Sequence, residues 1–249
     1  MNETKRKKIF LKGLRIISRL ILKLTAIIEI EGMENVPEHG GAIVVTNHIG
    51  RLDAMLAIVL TDREDIIMMV AEKYQKYAFW RFMVKNVDAL WLNRNEADFQ
   101  TLRIVQKRLK AGGILGMAPE GTRSATESLM EGKPGAVYLA DKADVPIIPI
   151  GLTGSEDRVV KERLKRLQRI HIQAVIGKPI HLPKINRRNR DEDLQRNTDE
   201  IMCQIAALLP PSYRGVYSDH PRLKALLSQT PQQHSKRSTQ TSFSEPATE

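Results

Sequence analysis

"IVVTNHIGRLDAML", residues 43–56, decides how the rest of the chain is read. With Ala42 it opens on an apolar run of strand length that shows no alternation, the pattern of a strand buried on both faces of a parallel sheet. "DAMLAIVL" (53–60) then takes up helical periodicity, with Asp53 in its first turn. Asn47 and His48 fall in the turn between them. In an α/β sheet that turn lies at the carboxyl end of a strand, where such sheets meet their ligands. A neutral imidazole is a suitable general base, and a carboxylate on its other nitrogen fixes the tautomer and stabilises the imidazolium. A plainer reading stands beside this one. Asp53 can be a helix N-terminal carboxylate favoured by the dipole, and His48 a loop histidine bonded to its surroundings. The spacing alone does not choose between them.

Working outward, strands are expected at 28–32, 42–45, 65–71, 88–94, around 114–117, at 146–154 and at 169–177. Helical patterns fall between them at 53–60, 77–84, 96–110, 134–143 and 158–169, with a polar helix at 191–209. Strands alternating with helices define the fold class: α/β, a mostly parallel central sheet flanked by helices, preceded by an N-terminal amphipathic basic helix. Three segments are expected: an interfacial helix over 1–28, one α/β domain over 29–228, and a disordered tail over 229–249 with little to bury. A chain of 249 residues has core enough for one domain of this kind. Cys203 is its sole cysteine, which excludes a disulfide framework and a CxxC zinc site and agrees with a reducing, cytoplasmic setting.

The formal net charge is +10, and most of the excess sits at the start. Lys5, Arg6, Lys7, Lys8, Lys12, Arg15, Arg19 and Lys23 face only Glu3 within residues 1–28. Lys12, Arg15, Arg19 and Lys23 fall on one helical stripe, and much of the remaining circumference is Ile, Leu and Phe. The stretch has no uncharged run approaching the ~20 residues that span a bilayer. Such a helix suits the headgroup region of an anionic membrane, on its cytoplasmic face and peripherally attached. A cap helix packed on the body through its apolar side is the alternative. Nucleic acid is not the expected partner, because a phosphate-contacting helix does not need so wide an apolar face.

"APEGTRS" (118–124) follows another apolar strand. Gly121 permits a sharp turn or a close backbone approach. Arg123 offers a planar fork for phosphate, Thr122 and Ser124 add hydroxyls, and Glu120 stands near enough in sequence to orient the guanidinium. A Pro-Gly surface turn with a local ion pair is the plainer reading. Arg94 closes "DALWLNR" at a third strand end and offers another cation. "VPIIPIG" (145–151) carries no reactive group, so Pro149 and its neighbours can only shape a wall. Cys203, in an amphipathic helix, reads as core rather than nucleophile.

In combination and in this order, these blocks resemble the lysophospholipid acyltransferases of the 1-acylglycerol-3-phosphate acyltransferase type. Asn47, His48 and Asp53 match the Asn-His-x4-Asp block, "ALWLNR" with Arg94 the second, and Pro119–Ser124 the Pro-Glu-Gly-Thr-Arg-Ser block residue for residue. "VPIIPIG" with Pro149 aligns with the fourth. The resemblance runs from about Glu29 to Gly177. It implies that His48, held by Asp53, deprotonates a lysolipid hydroxyl as it attacks an acyl thioester, without an acyl-enzyme. It implies that Glu120, Arg123 and Arg94 hold the acceptor's phosphate, with Asn47, Gly121, Thr122 and Pro149 completing the substrate site. Backbone N–H groups of the Pro119–Thr122 loop are candidate oxyanion donors. The implied partners are a lysophospholipid acceptor and acyl-CoA or acyl carrier protein as thioester co-substrate, with no metal and no redox cofactor. Other acceptors, such as glycerol-3-phosphate or another lysolipid, and a peripheral lipid-binding protein without turnover, stay open at this level.

Overall fold

A computed structural model of the chain describes residues 2–93 and 98–229. Arg94 and the predicted tail beyond Gln229 lie outside these described residues. The strands are β1 (Ala26–Glu31), β2 (Ala42–Thr46), β3 (Ile66–Ile67), β4 (Met69–Ala71), β5 (Leu90–Leu92), β6 (Ile114–Met117), β7 (Ile147–Thr153) and β8 (Ile170–Ile176). The helices are α1 (Glu3–Thr25), α2 (Asp53–Val59), α3 (Ala78–Asn86), α4 (Phe99–Lys110), α5 (Gly135–Ala143), α6 (Asp157–Lys165), α7 (Arg190–Leu208) and α8 (Pro221–Gln229). Six strands form one sheet in the order β1-β8-β7-β2-β6-β3, parallel at every pairing except β7 with β8.

The apolar runs are buried on both faces, as a covered parallel sheet requires. Ile43, Val45, Leu115 and Ile147 point to one side, where α4, α5 and α7 complete a core. Ala42, Ile114, Ile148 and Ile150 point to the other, against α1 and α2. α7 reads as polar in sequence, yet Ile201, Met202, Cys203, Ile205 and Ala206 along one side of it are fully buried. β2 sits at the centre, between β7 and β6. The three loops leaving the carboxyl ends of β2, β6 and β7 therefore emerge side by side.

Three elements depart from the sequence pattern. The run 65–71 is not one strand: β3 pairs with β6 in the main sheet, while β4 pairs with β5 in a separate two-stranded ribbon. Met68 is the crossing point, its carbonyl accepting the Leu90 N–H at 2.8 Å. α8, unanticipated, exists because Leu223 is fully buried against α7.

The third departure concerns α1. Its basic stripe is split: Arg15 is buried against the body, while Lys12, Arg19 and Lys23 stay exposed. Leu11, Arg15, Ser18 and Leu22 are its buried side. Arg15 donates to the carbonyls of Ile58 (3.0 Å), Asp62 (3.2 Å) and Arg63, and Arg19 to that of Val59 (2.9 and 3.1 Å). These are carbonyls of the last turn of α2 and the segment after it, where unpaired acceptors and the negative end of the dipole attract cations. Lys7 and Lys8 pair with Asp88 and Glu64. Beside its exposed cations α1 presents an apolar ridge to the outside: Ile9, Ile16, Ile17, Leu20, Ile21 and Leu24. α3 and the residue before it extend this surface with Tyr77, Phe79, Trp80 and Phe82, and Phe10 meets Phe82 edge to face at 5.7 Å. Among the described residues no helix is long and apolar enough to cross a membrane.

Candidate active site

β2 ends because a side chain continues its ladder. The Asn47 amide donates to the Leu152 carbonyl and accepts the Leu152 N–H, both at 2.8 Å, on the neighbouring β7. That frees the next backbone unit to turn, and His48 swings into the loop. Gly50 then passes so close to the β7 loop that an added Cβ would stand 1.7 Å from the Ser155 carbonyl oxygen. Only glycine fits there, and the contact locks the 47–53 turn against residues 153–157.

Within this turn Asp53 is an acceptor with every bond filled. Oδ2 takes the His48 Nδ1–H at 2.8 Å and the backbone N–H groups of Ile49 (2.9 Å) and Gly50 (3.0 Å). Oδ1 takes the Ser155 hydroxyl at 2.6 Å. The carboxylate is buried, and the His48 side chain is 24% exposed. Because Asp53 can only accept, Nδ1 carries the imidazole proton. Nε2, the basic lone pair, bonds to no described residue and belongs to the ring that lines the cleft.

The "APEGTRS" loop holds His48 from behind. Glu120 is buried and accepts the His48 N–H at 2.8 Å and the Met130 N–H at 3.0 Å, while Ser124 N–H donates to the His48 carbonyl at 2.8 Å. Both sides of the His48 backbone are thus fixed by this loop. Burial pushes the Glu120 carboxyl above its ordinary range, partly offset by the two N–H groups that favour its charge.

Several residues expected at the substrate have partners within the protein. Glu120 does not pair with Arg123; its two oxygens hold backbone amides. Arg123 pairs instead with Asp157, the first residue of α6, which also accepts the Arg51 N–H at 2.9 Å. Asn47 is 1% exposed and its amide is consumed by β7, so it shapes the turn rather than the ligand. Pro149 lies within β7 and packs toward Gly177, on the side away from Ile150 and Leu152. The Gly121 N–H is turned to the Ala118 carbonyl at 3.0 Å and is no oxyanion donor. Gly121 does line the cleft, in the left-handed region at φ +72°; Thr122 is exposed. Sequence reasoning missed Ser155 and Asp157. The signal was available: both follow the end of β7, on the edge where the β2 and β6 loops emerge.

His48 and Asp53 stand on a cleft of about 340 Å³ with Thr46, Pro119, Gly121 and Lys133. Through Thr46, Ala54, Ala57 and Met117 its wall is shared with an apolar cavity of about 240 Å³ between the sheet and helices α2 and α3. Val44, Ile114, Ile150 and Leu152 line its sheet side, and Trp80, Met83 and Val84 its outer side. The cleft that His48 lines therefore adjoins an oily chamber. Among the described residues no three His, Cys, Asp or Glu side chains group to hold a metal ion.

Known proteins resemble this chain in fold and in sequence. The structure is similar to that of the 1-acyl-sn-glycerophosphate (LPA) acyltransferase PlsC from Thermotoga maritima, with a TM-score of 0.60 over 81% of this chain and 80% of that one. Identity is 22%, so the likeness is one of fold. In sequence the chain is 26% identical over 209 residues to a probable 1-acyl-sn-glycerol-3-phosphate acyltransferase of Mycoplasma pneumoniae, covering 78% of each. It is 25% identical over 191 residues to a 1-acyl-sn-glycerol-3-phosphate acyltransferase of Bacillus subtilis, covering 76% of this chain and 92% of that one. The family model described as Acyltransferase matches residues 27–153, just over half of the chain and including His48, Asp53 and the 118–124 loop. By that match, the chain belongs to the Acyltransferase family and is an enzyme of that type.

Proposed function

We propose that the enzyme moves a fatty acyl group from a thioester to the sn-2 hydroxyl of 1-acylglycerol 3-phosphate at a membrane surface, giving phosphatidate. The observation that carries this reading is His48, its Nδ1 proton held by Asp53, standing where the cleft adjoins the apolar cavity. An alcohol with a pKa far above 7 needs a base as it attacks, and a long acyl chain needs an oily chamber beside that base. In the proposed step the acceptor oxygen bonds to the thioester carbonyl carbon while His48 Nε2 takes its proton. The tetrahedral intermediate collapses, the C–S bond breaks, and the imidazolium returns the proton to the departing thiolate of coenzyme A or acyl carrier protein. The thioester supplies all the driving chemistry, and no metal or redox cofactor takes part. Base assistance of this kind contributes about 10² to 10⁴ in rate.

Attachment to lipid is peripheral and on the cytoplasmic face in this reading, with the apolar ridge of α1 and the aromatic face of α3 entering the interface. Since Arg15 is buried and Arg19 is engaged by the Val59 carbonyl and Asp62, the contact rests on apolar burial more than on headgroup charge. Lys5, Arg6, Lys12 and Lys23 remain exposed for anionic lipid. Trp80 belongs both to this face and to the cavity wall, which supports entry of the acyl chain from the lipid side.

The test is thiol release from palmitoyl-CoA on anionic liposomes, with and without lysophosphatidate, for wild type and His48→Ala. Acceptor-dependent release by wild type alone is the expected result. Release that is independent of acceptor, or equal in the variant, overturns the reaction or the base. Glycerol 3-phosphate and other lysolipids, and palmitoyl-acyl carrier protein, identify acceptor and donor by competition.

A further inference from the structure

Arg123 is engaged with Asp157 and Glu120 with backbone amides, so neither presents an open charge to the cleft. One side chain does. Lys133 lines the cleft with His48, and among the described residues it is the only lysine or arginine that does so. Its ammonium makes no bond to any described residue. It is nevertheless placed with care: the Lys133 N–H donates to the Pro119 carbonyl at 2.9 Å, tying its backbone to the 118–121 loop. The side chain then lies back over Gly121, where an added Cβ would come within 3.2 Å of Cδ and 3.4 Å of Nζ. Gly121 is favoured by its positive φ, and its bare Cα leaves the lysine room to lie over it. Two residues later α5 begins, with Gly135 on the cleft wall and no side chain capping its first turn. The positive end of that helix adds to the field of the ammonium.

We propose that Lys133 receives the phosphate of the acceptor and is the residue by which this cleft selects a phosphomonoester headgroup. The inference rests on the acyl-transfer reading above and assigns a residue to its acceptor subsite. A phosphomonoester carries about −1.5 to −2 charges near neutrality, and a lysine binds it as a point charge. With the phosphate on Lys133, the glycerol hydroxyl two carbons away stays inside the cleft that His48 shares.

The test is steady-state kinetics of wild type, Lys133→Met and Lys133→Arg on liposomes, varying lysophosphatidate and palmitoyl-CoA separately. Lys133→Met should raise KM for lysophosphatidate about 10- to 100-fold, the loss of a charge-assisted contact, with kcat changed only a few-fold. Lys133→Arg should recover most of it. A rise in KM for palmitoyl-CoA alone assigns Lys133 to the donor's phosphates and overturns the proposal, as does an equal fall in kcat with both KM values unmoved. A binding arm needs no turnover: sn-glycerol 3-phosphate and inorganic phosphate are titrated into the wild type and Lys133→Met and followed by NMR, with thermal melts to show that both are folded. Binding that weakens in the variant supports the site even if no acyl transfer is found, in which case the reading of the reaction fails and the phosphate site stands. Identical binding in the two folded proteins overturns it.

Discussion

Asp53→Asn separates two things a catalytic carboxylate does, fixing a tautomer and opposing a charge. In serine-protease triads the same exchange costs about 10⁴ in kcat because the amide selects the wrong imidazole tautomer. Here the surroundings forbid that outcome. Three N–H groups converge on Oδ2, so the asparagine must present its oxygen there and turn its NH2 to Ser155, whose hydroxyl can rotate to accept. His48 Nδ1–H keeps its acceptor and Nε2 stays the base. What is lost is the negative charge facing the imidazolium. A hydrogen bond to a charged partner contributes about 1.5–3 kcal/mol and a neutral one about 1, a difference of about 0.5–2 kcal/mol, or roughly 2- to 30-fold in kcat. Asp53→Ala is a different perturbation. It strands four donors at about 1–3 kcal/mol each, comparable to the whole stability of a domain, and should not fold. The assay is acceptor-dependent thiol release, with a melting curve for each variant and the ¹⁵N shifts of the His48 ring. A loss near 10⁴ in a folded Asp53→Asn protein, or a ring proton moved to Nε2, would refute the argument.

Other consequences follow from single groups. Cys203 is fully buried and burial pushes its thiol up to about 12, so the native protein should leave a chromogenic disulfide reagent uncoloured at pH 8 and react once with it in urea. Arg15→Ala removes three bonds to the carbonyls of Ile58, Asp62 and Arg63, and should cost about 1–3 kcal/mol in urea denaturation; a stability within error of wild type would contradict the inward docking of Arg15. Because burial raises the Glu120 pKa above the ordinary 4.5, the folded chain holds that proton to a higher pH than the unfolded chain does. Its contribution to stability is fully present below about 4.5 and is lost as pH rises through the raised folded value. Measured against Glu120→Gln in urea, wild type should therefore lose relative stability over that window, and a difference that is flat with pH would contradict it. Liposome binding should depend little on salt and should be abolished by Ile16→Glu with Leu20→Glu; binding that vanishes at high salt in wild type would restore the basic stripe as the contact.

The sheet and the turn that carries His48 were legible because they are local. An unbroken apolar run, a turn and a helical period fix β2, the loop and α2 within 43–56, and the same signals recur at β6 and β7. Choices made by distant partners were not legible. The stripe of Arg15 and Arg19 is plain in the sequence, but its direction depends on carbonyls some 40 residues away, for which a guanidinium is the better partner than an isoleucine. Glu120 and Arg123 suggest a local pair, yet each finds a partner in another loop: His48 N–H for one, Asp157 for the other. The break at Met68 carries no glycine or proline, since both halves of 65–71 remain in strands and only their neighbours change. Lys133 is invisible for the same reason, because the contact with Gly121 is made by the return of a loop.

α2 joins two of these features. Asp53 stands in its first turn, and the arginines of α1 are bonded at its last. Seven residues at about 1.5 Å each set these ends about 10 Å apart. The helix is thus a strut of fixed length between the apolar ridge and the imidazole. With α1 in the interface as proposed, the depth at which it settles becomes the height of His48 above the lipid, and shortening or lengthening the strut would change where along the proposed lipid acceptor the hydroxyl is met.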